Sequence, residues 1–339
     1  MNISVHDPFN AVEDPQLPSL RVALDPEMAR HEFKRRLSRL SGDGKLRLRA
    51  VRVTRHKPGR RCVVEYDVEV DRPDVPKETL TLIGKTRARR SGNEGFRMQE
   101  SFWNGGFDAA NADEISVPEP IGVISELQMW FQRKVVGVSS ETLLVGSEGP
   151  TVARRIAEAI RKVHCAKIPT DKKHNIDDEL RILRDCLSQV AILRPDWWLR
   201  LQRVLRECER LAANTPFPIS CGIHRDFYSS QVIVDGRQVW LLDFDLYCSG
   251  DRGLDAGNFI AHITEQSLRE LGNSQALANV EKAFEDRFLE LTGESARYAV
   301  KTYTLLTLAR HIFLSTKFPE RCHLTHALLS ICERRLEIH

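Results

Sequence analysis

The sequence lacks most of the features by which a protein declares its class at sight. Its eight cysteines include no Cys-x-x-Cys pair and no even spacing, which argues against a disulfide framework and suits free thiols in a reducing compartment. No run of 18 uncharged apolar residues occurs, so no membrane span is expected. The first 25 residues have neither a basic start nor an apolar stretch; they do not read as a signal peptide, and a cytoplasmic protein is the expectation. Net charge is only +3, too little to argue from the whole molecule for a nucleic-acid or membrane partner. A Gly-x-Ser-x-Gly elbow and a His-Glu-x-x-His pair are both missing, which removes the common hydrolase readings.

What is present is ordinary globular usage, 42% hydrophobic and 29% charged over 339 residues, enough chain for one large domain or two lobes. The charge is unevenly spread. Between Glu27 and Asn104 there are 20 Lys or Arg against 11 Asp or Glu, so a basic front part is balanced by the rest of the chain.

The same region opens with Asp25-Pro26, a helix cap followed by Pro at the first helical position, with Met28, Phe33, Leu37 and Leu40 at helical spacing. After Ser41 to Gly44 the period changes to two. Leu46 and Leu48, then Val64, Tyr66, Val68 and Val70, then residues 79–85 give three candidate strands of an antiparallel sheet. Residues 71–78, with two prolines, are expected to loop. A helix near Asn93 to Asn104 follows, with Phe96, Glu100, Trp103 and Phe107 read as one inward stripe, and residues 116–131 supply two more strand-like pieces.

Beyond Ser139 the pattern is mainly helical, with helices expected near 151–166, 176–192, 196–213, 254–271, 276–291, 295–315 and 321–336. One β island interrupts it at 219–247, where apolar runs flank the hairpin signal Asp235-Gly236. The island puts Asp226 and Asp243 at strand ends, where two acids can hold a hard divalent cation or accept a hydroxyl proton. Trp197-Trp198 is read as helix packing. His311, His323 and His326 with Cys322 lack a clear zinc ligand set and are read as core or surface residues.

Taken in order, His224-Arg225-Asp226, Gln231, Asp243-Phe244-Asp245, Gly250-Asp251 and Leu254-Asp255 resemble the catalytic loop and metal-binding segment of the protein-kinase-like superfamily. The likeness is greatest to its aminoglycoside phosphotransferase and choline kinase branch. Upstream, residues 55–70 are similar to the family's turn and strand over the nucleotide phosphates, Lys85 to its strand lysine, and residues 154–169 to its first long helix, which ends in Val-His.

The resemblance implies an α+β, two-lobed protein-kinase-like fold: an N-terminal antiparallel sheet lobe with one or two helices and a larger helical lobe. The expected division is a 1–25 extension, a 26–131 nucleotide lobe and a 132–339 helical lobe with the acceptor site. It also implies a phosphotransferase moving the γ-phosphoryl of ATP, or of GTP, to a hydroxyl of a small molecule with Mg²⁺. Asp226 would take the hydroxyl proton, with His224 beside it bracing the loop. Asp243 and Gln231 would hold the metal. Lys85, Gly59 and Arg60 would meet the phosphates, and Gln132 the nucleotide, whose adenine is expected between the lobes near Trp130 to Val136. Glu94 and Glu100 compete as the partner of Lys85, and the inward stripe favours Glu100.

Gln231 stands where the family normally has Asn, and its extra methylene puts the second metal position in question. A protein kinase is disfavoured, because only 11 residues separate Asp243 from Asp255, too few for a long activation loop. From Asp251 to His339 there are 12 acids and 11 bases, so no acidic excess singles out a polycationic acceptor. No nucleic acid and no membrane are expected as partners; a monomer or homodimer is. The alternative is a nucleotide-binding pseudokinase or interaction protein without phosphotransfer.

Overall fold

The computed structural model describes residues 3–37, 40, 44–72, 76–88 and 92–338. They form two compact units, Met1–Val136 and Gly137–His339. The expected turn at Ser41 to Asp43 and the centre of the 71–78 loop lie outside the described residues.

The first unit is built on strands β1 (Ser4–His6), β2 (Lys45–Lys57), β3 (Arg61–Asp71), β4 (Glu78–Arg87), β5 (Pro120–Ile124) and β6 (Met129–Arg133). Their order in the sheet is β1-β2-β3-β4-β6-β5. β1 joins β2 in parallel and the other pairings are antiparallel. β3 shows why the period-two pattern is informative: Cys62, Val64, Tyr66, Val68 and Val70 are all buried on one face. β2 has register shifts between Leu48 and Ala50 and between Val53 and Arg55. The first re-phases the strand, so that burial passes from Leu46 and Leu48 to Val51 and Val53.

Helix α1 (Pro26–Arg36) covers this face, started by the Asp25 carboxylate, which accepts hydrogen bonds from Glu27 N and Met28 N. Phe33 from α1, Tyr66 from β3 and Phe131 from β6 meet edge to face, with centroids 4.9–5.7 Å apart. Gly84 makes room for them: a Cβ there would stand 2.9 Å from Phe131 and 3.0 Å from Tyr66.

The N-terminal residues, expected as an extension ending at 25, instead belong to this unit. β1 pairs with β2, and Leu17, Leu20 and Ala23 lie in the core. The unit also ends five residues later than the expected boundary at 131. Asp14 is the polar anchor of this segment. Its Oδ2 accepts from the Gly59 amide at 2.8 Å and lies 2.8 Å from His56 Nε2. Burial works to raise the Asp14 carboxyl, but the hydrogen bonds from Gly59, His56 and Gln16 outweigh it and hold the group below its ordinary 3.8. A depressed folded pKa stabilises above the unfolded value and is lost as pH falls through the folded one. Asp14→Ala, which strands the Gly59 amide and His56, is therefore expected to destabilise the protein by about 1–3 kcal/mol at neutral pH. The difference from wild type should shrink as the pH falls below 3.8, as urea titrations at two pH values would show.

Helix α2 (Gly92–Phe102) corrects the inward stripe. Its most buried residues are Gln99, whose side chain donates to the Pro118 carbonyl at 2.7 Å, and Phe102, whereas Glu94 and Glu100 are both exposed. The regular helix stops at Phe102. A wider turn with non-helical Gly105 and Gly106 carries Trp103–Phe107, so Phe107 does not continue the helical phase on which the stripe relied.

The second unit contains strands β7 (Val138–Ser139), β8 (Cys221–Ile223), β9 (Val232–Asp235), β10 (Gln238–Leu241) and β11 (Cys248–Gly250). Its main helices are α3 (Gly149–Cys165), α4 (Ile176–Leu193), α5 (Trp198–Ala213), α6 (Arg252–Leu271), α7 (Ala278–Thr292), α8 (Arg297–Thr316) and α9 (Thr325–Arg335). β9 and β10 form the expected hairpin at Asp235-Gly236, β7 pairs with β9, and β8 pairs with β11. α6 and α8 pack closely because Gly257 carries no Cβ, which would stand 2.6 Å from the Thr304 nitrogen. That contact matters for function, since α6 holds the loop described next.

Candidate active site

The loop after β8 carries His224, Arg225 and Asp226, and a buried carboxylate sets its shape. Asp255, in the first turn of α6, is 0% exposed. Its Oδ2 accepts from the His224 amide at 2.8 Å and its Oδ1 from the Arg225 amide at 2.7 Å. His164, at the end of α3, brings its Nε2 to 2.9 Å from the same Oδ2. One turn along α6, the Asn258 side chain donates to the Arg225 carbonyl at 2.9 Å, and its own oxygen accepts from Thr307 at 2.6 Å. These bonds hold Arg225 at φ 72°, a left-handed conformation that costs a non-glycine residue about 1–2 kcal/mol.

Asp226 follows, half-buried, between fully buried His224 and Phe227. The sequence sets His224 beside Asp226 in the catalytic pair, with a bracing role. Its ring is buried, its Nε2 lies 2.8 Å from the Leu242 carbonyl, and it packs 4.8 Å from the Phe244 ring. These contacts tie the loop to the segment that carries Asp243.

Leu242 is the junction of the site. Its carbonyl meets His224, its amide donates to the Gln231 carbonyl at 2.9 Å, and the next residue is Asp243. Asp243 is half-buried and left-handed, at φ 61° and ψ 60°, a conformation Asp tolerates better than most residues. The segments bearing Asp226, Gln231 and Asp243 are thus tied through one residue's backbone. The Gln231 side chain is 7% exposed and its Nε2 donates to the Tyr228 hydroxyl at 3.3 Å.

Tyr228 stacks on His262 of α6, centroids 4.5 Å apart and planes 19° from parallel, and His262 meets His311 of α8 edge to face at 4.5 Å. Burial first, and then the Arg310, Arg321 and Arg269 charges, push His311 down to about 3. Burial, His311 and the same arginines hold His262 well below its ordinary value. Both rings are therefore neutral near pH 7, so an uncharged aromatic wall lies behind the loop. His311 belongs to this wall and not to a zinc set; among the described residues no group of three His, Cys, Asp or Glu is arranged to hold a metal.

In the first unit, Lys85 lies half-buried on β4, in register with Val63 and Trp130, its Nζ 4.7 Å from the Trp130 ring centre. Gln132 is 5% exposed on β6, opposite Ile83, and its Oε1 is buried without a hydrogen bond. Gly59 departs from expectation: its amide, assigned to a phosphate, is taken by Asp14. Arg60 beside it is exposed.

Asn258, His262 and Asp14 are not singled out by the sequence pattern. The first two fall three and seven residues after Asp255, which on a helix is the same face. That spacing was the available signal. Asp14 offered none, because its partner lies 45 residues away.

Comparisons with known proteins bear on the family and the fold. The family model described as "Phosphotransferase enzyme family" matches residues 107–290, more than half of the chain. None of the curated proteins matches. Among solved structures, the chain is similar to a choline/ethanolamine kinase family protein from Mesorhizobium loti, with 15% identity over 94% of each chain and a TM-score of 0.57. It is similar to a thermostable mutant of aminoglycoside phosphotransferase APH(4)-Ia, with 17% identity over 89% of this chain and 97% of that one and a TM-score of 0.57. Choline kinase LicA from Streptococcus pneumoniae shares 11% identity over 92% of this chain and all of its own, with a TM-score of 0.54. At such identities these likenesses speak for the kinase-like fold, and the family match speaks for the chemistry. The chain belongs to the phosphotransferase enzyme family.

Proposed function

We propose that the protein transfers the γ-phosphoryl group of ATP, with Mg²⁺, to a hydroxyl of a small molecule. The observation that carries this reading is the loop geometry: Asp255 clamps two consecutive backbone amides, which presents the half-buried Asp226 carboxylate from a rigid base. Solved relatives in complex with ADP or AMP-PNP and hygromycin B are consistent with it.

Asp226 would orient the acceptor hydroxyl and take its proton as the oxygen–phosphorus bond forms. Lys85 would contact the nucleotide phosphates. The orphaned Gln132 Oε1 suits a donor such as an exocyclic amine of the base. With Glu94 and Glu100 both exposed on α2, burial no longer favours Glu100 as the partner of Lys85. Gly59 loses its expected role, while Arg60 keeps a side chain open to phosphate.

The donor set suits a hard divalent cation: the Asp243 carboxylate and the Gln231 amide oxygen, whose own nitrogen is occupied by Tyr228. When bound, Mg²⁺ would offset the charge of the phosphate oxygens. Tyr228 thereby becomes a positioning residue for the amide. Tyr228→Phe is expected to weaken metal binding by roughly twofold to tenfold, the worth of one hydrogen bond. Mn²⁺ titration followed by electron paramagnetic resonance, with nucleotide present, measures this directly; unchanged affinity would remove the role.

The function itself is tested by titrating ATP and GTP, each with and without Mg²⁺, and then assaying transfer to pooled hydroxyl compounds. Mg²⁺-dependent transfer is the expected result. Nucleotide binding with no transfer would favour a pseudokinase, and no nucleotide binding would sink both readings.

A further inference from the structure

A second tie on the catalytic loop runs through charged side chains outside the catalytic pattern. Asn258 of α6 donates to the carbonyl of Arg225, the residue before Asp226. Its Oδ1 is met from one face of α8, by the Thr307 hydroxyl at 2.6 Å and by Arg310 Nη2 at 3.4 Å. Arg310 Nη1 in turn lies 3.2 Å from Oε2 of Glu179 on α4, and Glu179 Oε1 lies 2.6 Å from His174 Nε2. Glu179 and His174 are each 5% exposed. Burial works to raise the Glu179 carboxyl, but the His174 hydrogen bond and the charges of Arg310, His174 and Arg225 outweigh it and hold the group below its ordinary value.

This chain of contacts closes on itself. The His174 amide donates to the Ser249 carbonyl at 2.9 Å, and the Ser249 amide to the Lys172 carbonyl at 2.8 Å. Ser249 lies in β11, in register with Gly222 of β8, the strand that leads into the loop. Arg310 is therefore held from the same strand pair whose outgoing loop it helps to fix.

The two groups that face Asn258 Oδ1 are not equivalent. A side-chain amide turned over places nitrogen where oxygen was, and a threonine hydroxyl can donate to the one or accept from the other. Thr307 alone would accommodate an inverted Asn258, whose oxygen would then oppose the Arg225 carbonyl. A guanidinium only donates. Inversion would bring the amide nitrogen against Arg310, which has nothing to accept with, and withdrawal of Arg310 would deprive the buried Glu179 carboxylate of its arginine. We propose, on the reading of Asp226 as proton acceptor, that Arg310 is a positioning residue: it fixes the orientation of the Asn258 amide and, through the Arg225 carbonyl, the aim of the Asp226 carboxylate.

The test uses the full chain carrying Arg310→Met together with Glu179→Gln, which removes both charges so that neither is left buried alone. Arg310→Lys, which keeps a donor-only cation, stands beside it. The paired variant is expected to lower kcat about tenfold, the worth of one hydrogen bond, with KM for ATP unchanged, and Arg310→Lys should recover most of that loss. On an Asn258→Ala background the paired variant should lower kcat no further, since the amide it orients is gone. Independently of transfer, nuclear magnetic resonance of the Asn258 side-chain amide should show a slowly exchanging proton in the wild type and in Arg310→Lys, and fast exchange in the paired variant. An unchanged kcat in the paired variant, a loss that Arg310→Lys does not recover, a further loss on the Asn258→Ala background, or a slowly exchanging Asn258 proton that survives the paired variant would each overturn the role. If Asp226→Asn kept its full rate, the reading of Asp226 would fall, and the exchange measurement would still decide whether Arg310 holds the amide.

Discussion

Asp226→Asn is expected to lower phosphotransfer to a cognate acceptor by roughly 10²- to 10⁴-fold, the usual worth of a positioned general base. The substitution keeps the side chain's size and removes its ability to take a proton. Asp226 is only half-buried, and the loop on either side of it is held by other groups: the His224 and Arg225 amides by Asp255, the His224 ring by Leu242, and Phe227 by stacking on Phe259. The variant should therefore melt within about 0.5 kcal/mol of wild type and bind nucleotide with unchanged affinity. A fall in kcat without loss of nucleotide binding separates removal of a proton acceptor from a collapse of the site. If the variant keeps its full rate, Asp226 is not the base; if nucleotide affinity falls in parallel, its role is structural.

Asp255→Ala is expected to have the largest effect on stability, because it touches the loop from behind. It leaves the His224 and Arg225 amides and His164 Nε2 without their shared acceptor, in a region where Asp255 itself is 0% exposed. Each stranded donor costs about 1–3 kcal/mol, so a loss on the order of 3–5 kcal/mol follows. For a unit of this size that is a melting shift of on the order of 10 °C. Arg225 would also lose much of what holds it left-handed. Asp255→Asn keeps one acceptor oxygen and should fall between the two. Hydrogen exchange at the His224 and Arg225 amides reports on the loop directly: fast exchange in Asp255→Ala at temperatures where α6 is still protected is the expected signature. Slow exchange there, or a melting shift below about 2 °C, would mean that the carboxylate is not what fixes the loop.

These two predictions divide the site as the sequence and the fold divide it. Asp226 and Asp243 were legible because strand and hairpin patterns are local. Alternation in β3 placed its apolar side chains on one face, and Asp235-Gly236 marked the hairpin that delivers Asp243. The long helices were legible for the same reason, since an apolar stripe repeats within a few turns of its own chain. Even the resemblance that pointed to phosphotransfer rests on short segments in order.

Position on a surface was less legible where a helix departs from ideal geometry. Glu100 was placed inward by a stripe running through Phe107, but the helix is regular only to Phe102, and the turn at Gly105 and Gly106 breaks the phase. Gly59 was placed at a phosphate by the resemblance of residues 55–70 to the family's phosphate turn; nothing near it in the chain announces that Asp14 fills its amide. His224, beside the candidate base, was already read as bracing the loop; what the sequence did not show is that it does so through the Leu242 carbonyl and the Phe244 ring.

By itself, then, the sequence determined which strands and helices form and which side chains on them are candidates for the chemistry, because hydrophobic period, caps and turn residues act over a few residues at a time. Only the tertiary structure decided which of those side chains are held and by what. Asp255 reaches its partners across 31 and 91 residues, and Leu242 joins loops that are 18 residues apart at the His224 contact. A hydrogen bond between distant segments depends on how whole elements pack, and no local pattern encodes that packing.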